Sequence, residues 1–289
     1  MTIPATEPEA SAFAEASGSG SSGSSGQSRS ALFTSVRWST YWLLGGATIA
    51  VLLVAWWAVV EFGIVNPYFL PPPAAVWESG VRLWQEGLLW PDTWESIQRI
   101  LIGFSISLAV ALPMGILMGT LGWFEALWEP LIDFIRYMPA VAFVPLTIVW
   151  FGVNESQKWV IIFIGTFFQQ VLMVMDNVKR TPREYVQVGE TLGFHRMKLI
   201  ARIVLPASAP ALWDTVRITL GWAWTWLVVA ELVAASAGLG QRIIVSQRYL
   251  DTDTIFFIIA WIGLIGLITD QCLKALGRRM FPWASGGSQ

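Results

Sequence analysis

Pro182-Arg-Glu-Tyr-Val-Gln-Val-Gly-Glu-Thr-Leu-Gly-Phe-His-Arg-Met-Lys-Leu-Ile-Ala-Arg-Ile-Val-Leu-Pro206 is a polar, helix-forming island between two apolar runs. The run before it, Trp159 to Val178, and the run after it, about Ala211 to Ala235, are each long enough to cross a hydrocarbon core of ~30 Å. Within the island, Tyr185, Val188, Leu192, Leu199 and Ile203 are available as a buried stripe. Gly193 can end one short helix and turn into the next, and the Leu205-Pro206 step closes the second helix and leads back into the membrane. A folded elbow of this kind suggests a docking surface for a soluble partner, with an ordinary structured loop as the alternative.

Four further apolar runs lie outside these two: Tyr41 to Phe62, Ile97 to Thr120, about Leu127 to Phe151, and Ile255 to Leu276. The expected fold is therefore an all-α integral membrane protein of about six transmembrane helices. Asp133, Arg136, Pro139 and Pro145 interrupt the third run, which predicts a broken or kinked helix packed against protein, since lipid cannot satisfy freed backbone groups. Composition agrees. Of 289 residues, 55% are apolar and 13% charged, and mean hydropathy is +0.57; a soluble protein carries roughly 25% charged residues. That excludes a soluble enzyme, a nucleic-acid-binding domain and, with Cys272 alone, a disulfide-framed secreted module.

The chain divides into a flexible cytoplasmic tail over 1–36, whose Gly/Ser run extends from Gly18 to Gly26, a first transmembrane helix over 37–64, and an external segment over 65–96. A five-helix core follows over 97–276, containing the elbow 182–206, and then a cytoplasmic tail over 277–289. The external segment, from Pro71-Pro72-Pro73 onward, predicts a short amphipathic helix on the outer membrane surface. Arg29, Arg37, Lys179, Arg180, Arg183, Arg196, Lys198, Arg202, Lys274, Arg278 and Arg279 fall on the elbow's side, against Arg82, Arg99, Lys158, Arg242 and Arg248 on the other. This bias places the elbow and both termini in the cytoplasm. Trp90, Trp94, Trp123, Trp128, Trp150, Trp159 and Trp283, with Trp38 and Trp42, sit at span ends as headgroup anchors.

Charged groups at membrane depth face the bundle interior or a water-filled path. Asp133 and Arg136 lie three apart and can pair, Glu231 sits deep in the fifth span with Arg217 a few turns earlier, and Asp270 is in the sixth. Pairing between helices is the simpler reading for each. The candidates for a solute path are Arg136, its neighbour Tyr137, Gln169, Gln170 and Glu231; of the two glutamines, one faces inward because adjacent helical residues point about 100° apart. Gly115 and Gly119 have the spacing that lets helices approach closely. His195 is alone, and no metal-ligand set, Cys pair or nucleophile–base constellation is present in the sequence.

Gly193, nine residues, then Ile203-Val204-Leu205-Pro206 resembles part of the loop signature of binding-protein-dependent ABC importer permeases. That family places Glu-Ala-Ala six residues before the glycine; here Gln187-Val188-Gly189 stands there, with Glu190 beside it. Leu70-Pro-Pro-Pro-Ala-Ala-Val76, Ser96-Ile-Gln-Arg-Ile-Leu-Ile-Gly103, Phe134-Ile-Arg-Tyr-Met-Pro-Ala-Val-Ala-Phe-Val-Pro145, Trp150-Phe-Gly152, and Ala230-Glu-Leu-Val-Ala-Ala-Ser236 with Gly238-Leu-Gly240 resemble the nitrate/sulfonate/taurine branch. The resemblance implies a type I ABC importer permease fold with a cytoplasmic coupling helix, in a bacterial inner membrane. It implies a homodimer, two ATP-binding subunits docked on the elbows through Gln187, Val188, Gly189, Glu190, Gly193, Ile203, Leu205 and Pro206, and an external solute-binding protein. ATP and Mg would bind the partner ATPase, since this chain has no Gly-x4-Gly-Lys-Ser/Thr loop and binds no cofactor itself. The implied solute is a small anion (nitrate, sulfonate, taurine, bicarbonate or an organic acid). The alternatives are a neutral pyrimidine or vitamin precursor, a passive channel, or an intramembrane enzyme.

Overall fold

In the computed structural model, residues 38–283 are described, so the tail read over 1–36 and the end of the C-terminal tail lie outside them. The elements are α1 (Trp38–Glu61), α2 (Pro73–Gln85), α3 (Leu89–Thr120), α4 (Gly122–Arg136), a 3-10 turn (Ala140–Phe143), α5 (Val144–Phe151), α6 (Glu155–Lys179), α7 (Arg183–Thr191), α8 (Arg196–Leu199), a π turn (Ile200–Val204), α9 (Leu205–Ala234), α10 (Leu239–Arg248) and α11 (Thr252–Met280). No strand occurs among the described residues. Five helical stretches are long and apolar enough to cross a membrane, and a sixth results if α4 and the 140–151 segment count as one broken span, bent by 87°. Pro139 sits at that break in extended backbone, where its ring stops α4 from continuing.

The chain forms two units, residues 1–51 and 52–289. In the first, α1 exposes every side chain from Leu43 to Val51, an apolar surface all round. The second holds the rest of α1 and all other elements. Within it, the Trp56 indole N–H donates to the Pro71 carbonyl at 3.0 Å, and its ring lies 5.7 Å from that of Phe256.

The closest packing is between α3 and α6, and small residues allow it. Gly103, Ser107, Ala111, Gly115 and Gly119 recur every four residues on one face of α3. A methyl on Gly115 would come within 2.6 Å of Val174 Cβ and 2.7 Å of the Val171 carbonyl; on Gly119 it would meet Val178, and on Gly103, Ile162. The two helices therefore run parallel, both ending at the elbow. Polar side chains fix their register. Ser107 donates to Gln170 Oε1 at 2.6 Å, Thr166 donates to Ser107 Oγ at 3.0 Å, and Gln170 Nε2 donates to Thr219 on α9 at 3.3 Å.

Three sequence expectations need adjustment. α3 begins at Leu89, eight residues before its apolar run, because Asp92, Ser96 and Arg99 on its first turns find buried partners instead of solvent. Pro206 does not separate the elbow from the fifth span: it occupies the first turn of α9, where its missing N–H is tolerated, and the π turn runs into α9 without a break. The amphipathic α2 buries Val76, Ser79, Gly80 and Leu83 in the protein itself, with Gly80 under the Phe257 ring of α11. Arg82 bonds Asp251 at 3.2 Å and Thr254 at 3.0 Å, and Trp77 and Trp84 stay exposed.

Candidate functional site

The elbow is two short helices folded against the ends of α3, α6 and α9. Pro182 precedes α7, Glu184 lies in its first turn, and Gly193 ends it at φ +71°. The Phe194 N–H reaches back to the Gly189 carbonyl at 3.0 Å and the Gly193 N–H to the Glu190 carbonyl at 2.9 Å, a Schellman closure. The buried side of α7 is not the expected one. Val186 and Gly189 face inward: Val186 packs on the cluster of Val174, Val178, Val204 and Leu212, and Gly189 lies directly under Leu199 and Ile203. Tyr185, Val188 and Leu192, expected in the buried stripe, are 54%, 58% and 65% exposed. The small Gly189 sets the rotation of α7, because only a residue without a side chain fits beneath Leu199 and Ile203. That leaves an apolar stripe at i, i+3 and i+7 facing outward, with Gln187, Glu190, Gly193, Leu205 and Pro206 also exposed and Ile203 half-buried. Val186 is the root of the elbow that the sequence did not mark.

A second site forms at the broken span. Arg136, Tyr137 and Gln169 line one cavity of about 390 Å³, with Met138, Trp222 and Trp226. Arg136 Nε lies 3.0 Å from Asp133 Oδ1, its Nη2 is 3.3 Å from the Tyr137 hydroxyl, and its guanidinium lies 4.9 Å from the Tyr137 ring centre. One cation, one hydroxyl and an amide thus converge among aromatic walls.

Gln170 and Glu231 lie elsewhere, fully buried and hydrogen-bonded. Glu231 takes part in a buried ionic cluster whose hub is Arg99. Arg99 Nη1 donates to Glu231 Oε1 at 2.8 Å and to the Ala237 carbonyl at 2.6 Å; its Nε and Nη2 bond Glu155 at 2.7 and 2.9 Å. Glu155 also holds Lys158 at 2.7 Å. The backbone N–H groups of Gly238, Leu239 and Gly240 donate to Asp92 (3.0 Å), Ser96 (2.9 Å) and Glu231 (2.7 Å), and Asp92 pairs with Arg242. Gly238 adopts φ +120° with Arg99 and Glu231 against it, leaving no room for a side chain. The Ser96–Gly103 and Ala230–Gly240 motifs therefore meet here, tying α3, α6, α9 and α10 together at the end away from the elbow. Arg217 makes a comparable tie nearer the elbow, 2.8 Å from Asp270 on α11 and 3.0 Å from Asp214. No group of metal-ligating side chains occurs among the described residues.

The comparisons with known proteins fit this architecture. A probable ABC transporter permease protein of Brucella melitensis biotype 1 is 38% identical over 236 residues, covering 82% of this chain and 95% of that protein. The taurine transport system permease protein TauC of Escherichia coli (strain K12) is 32% identical over 241 residues, covering 82% and 88%. The inward-facing structure of the MetNI methionine ABC transporter superposes with a TM-score of 0.59 at 18% identity, over 66% of this chain and 95% of that one, a likeness of fold alone. The sequence model of the binding-protein-dependent transport system inner membrane component matches residues 111–282, a stretch that takes in the broken span, the elbow and the Glu231 loop. With the helical bundle of a type I ABC importer and relatives that are transport permeases, the chain belongs to the family of binding-protein-dependent transport system inner membrane components.

Proposed function

We propose that this chain is the membrane-spanning half of an ATP-driven importer for a small organic solute of the taurine or sulfonate type, one that carries an anionic group. Two copies would pair, two ATP-hydrolysing subunits would dock on the elbows from the cytoplasm, and an external binding protein would deliver the solute. The observation that carries this reading is the outward apolar stripe of Tyr185, Val188 and Leu192 on a helix rooted by Val186 and Gly189. A water-facing stripe of that size is costly unless a protein covers it, and a rooted helix passes a push to α6 and α9 without losing it in its own flexing. The anionic solute is supported by the Arg136–Tyr137–Gln169 cavity, whose single cation and neutral donors suit one carboxylate or sulfonate group. It is supported further by a relative named for taurine transport.

The test is site-specific cross-linking in intact cells after Cys272→Ser removes the native thiol, which is exposed. Val188→Cys is expected to give an adduct with an ATP-hydrolysing protein, whereas Trp84→Cys on α2 is expected to give none. An adduct from Trp84→Cys and none from Val188→Cys would overturn the assignment. With the coupled complex in vesicles, Val188→Ser should keep at least part of the ATP hydrolysis while reducing solute uptake at least tenfold.

A further inference from the structure

The inner side of the elbow, opposite its outward stripe, covers a cavity of about 520 Å³. One wall is apolar, with Val178 and Val186; the rim is polar, with Lys179, Thr181, Glu190 and Arg196. Three of these polar groups, Thr181, Arg196 and the exposed Glu190, lack side-chain partners among the described residues. Thr181 Oγ1 is shut off from solvent and makes no hydrogen bond among the described residues. Arg196 has no carboxylate within 4 Å among them, while Lys179 is paired with Glu125. The cavity lies where α3 ends at Thr120 and α6 at Lys179, the level at which apolar spans give way to polar chain. Arg180, Arg183 and Lys198 in the same segment add positive potential.

An apolar wall, a donor hydroxyl and an unpaired guanidinium at this depth match one chemistry, a phosphodiester carried on a hydrocarbon chain. We propose that this cavity binds the headgroup phosphate of an anionic phospholipid, with Arg196 and Thr181 donating to the phosphate oxygens and an acyl chain lying along Val178 and Val186. Basic pockets between membrane helices take anionic headgroups for the same electrostatic reason. The lipid then fills the space behind α7 and stiffens the elbow from within. This inference needs only a chain embedded in lipid, and it stands whether or not an ATPase docks on the outer stripe.

The experiment places the full chain in nanodiscs of phosphatidylcholine with trace spin-labelled phosphatidylglycerol and measures the immobilised label. A preference for phosphatidylglycerol is expected. Arg196→Gln should reduce it about fivefold, Thr181→Val should reduce it less, and Arg196→Lys should retain most of it. Arg202→Gln, exposed and outside the cavity, should leave it unchanged, and melting temperatures show that each variant is folded. Equal binding of phosphatidylglycerol and phosphatidylcholine by the unaltered chain would overturn the proposal. So would an Arg202→Gln loss as large as that of Arg196→Gln. Displacement of the label by millimolar glycerol phosphate or inorganic phosphate would assign the site to a soluble phosphate and overturn the lipid.

Discussion

Arg99 is 2% exposed and has carboxylates on two sides, and that arrangement carries a measurable cost. Removing one partner of a buried ion pair leaves the other desolvated without compensation, which costs about 3–5 kcal/mol, more than the pair contributes relative to an apolar replacement. Glu231→Ala should therefore destabilise the chain by about 3 kcal/mol, while Lys158→Ala should cost about 1 kcal/mol because Glu155 keeps Arg99 and is partly exposed. Thermal unfolding of the two variants in detergent checks the ranking. The sequence marked Glu231 by its charge at membrane depth, and placed Arg99 only in the external charge count and inside a motif. Their meeting was not legible, because the two lie far apart in the chain and only the packing of α3 on α9 brings them within 2.8 Å. The same cause separates the path candidates: Arg136, Tyr137 and Gln169 share a cavity, but the neighbouring Gln170 turns into the α3 interface.

At the scale of elements, periodicity was the strong signal, since five of the apolar runs each became one helix and the third became the broken span of α4 and α5. Boundaries drifted where polar side chains found partners inside the protein, as at Asp92 and Ser96, and at α9, where Pro206 fits the first helical turn. The face of α7 was misjudged for a different reason: hydrophobicity names candidates for burial, but a glycine decided which side could come closest to α8. Gly115→Ala should destabilise the α3–α6 pair by about 1–3 kcal/mol, because the new methyl has backbone on one side and Val174 on the other. Gly221→Ala, in open space on α9, should instead stabilise by about 0.5–1 kcal/mol. Melting both variants side by side checks the contrast. α7 and α10 end in the same motif but with different residues. Gly193 takes the left-handed position after α7, and Leu250 takes it after α10 at φ +57°. Leu250→Gly should therefore raise stability by about 1 kcal/mol and Gly193→Ala lower it by a similar amount, read from hydrogen-exchange protection of α10 and α7.

For the whole molecule, the two candidate sites differ in what they would change. Arg136→Met should reduce uptake of an anionic solute at least tenfold while leaving the elbow's cross-linking at Val188→Cys intact; uptake assays paired with that cross-link distinguish loss of the path from loss of assembly. The paired helices α3 and α6 span the distance between these regions, one end in the Arg99 cluster and the other under the elbow. Their recesses recur once every four residues, so sliding along the shared axis has no resting place except in steps of about 6 Å. The bond between Ser107 and Gln170 selects a single tooth of that rack. The 87° corner beyond α4 lies outside that rack, so no such step holds it in place.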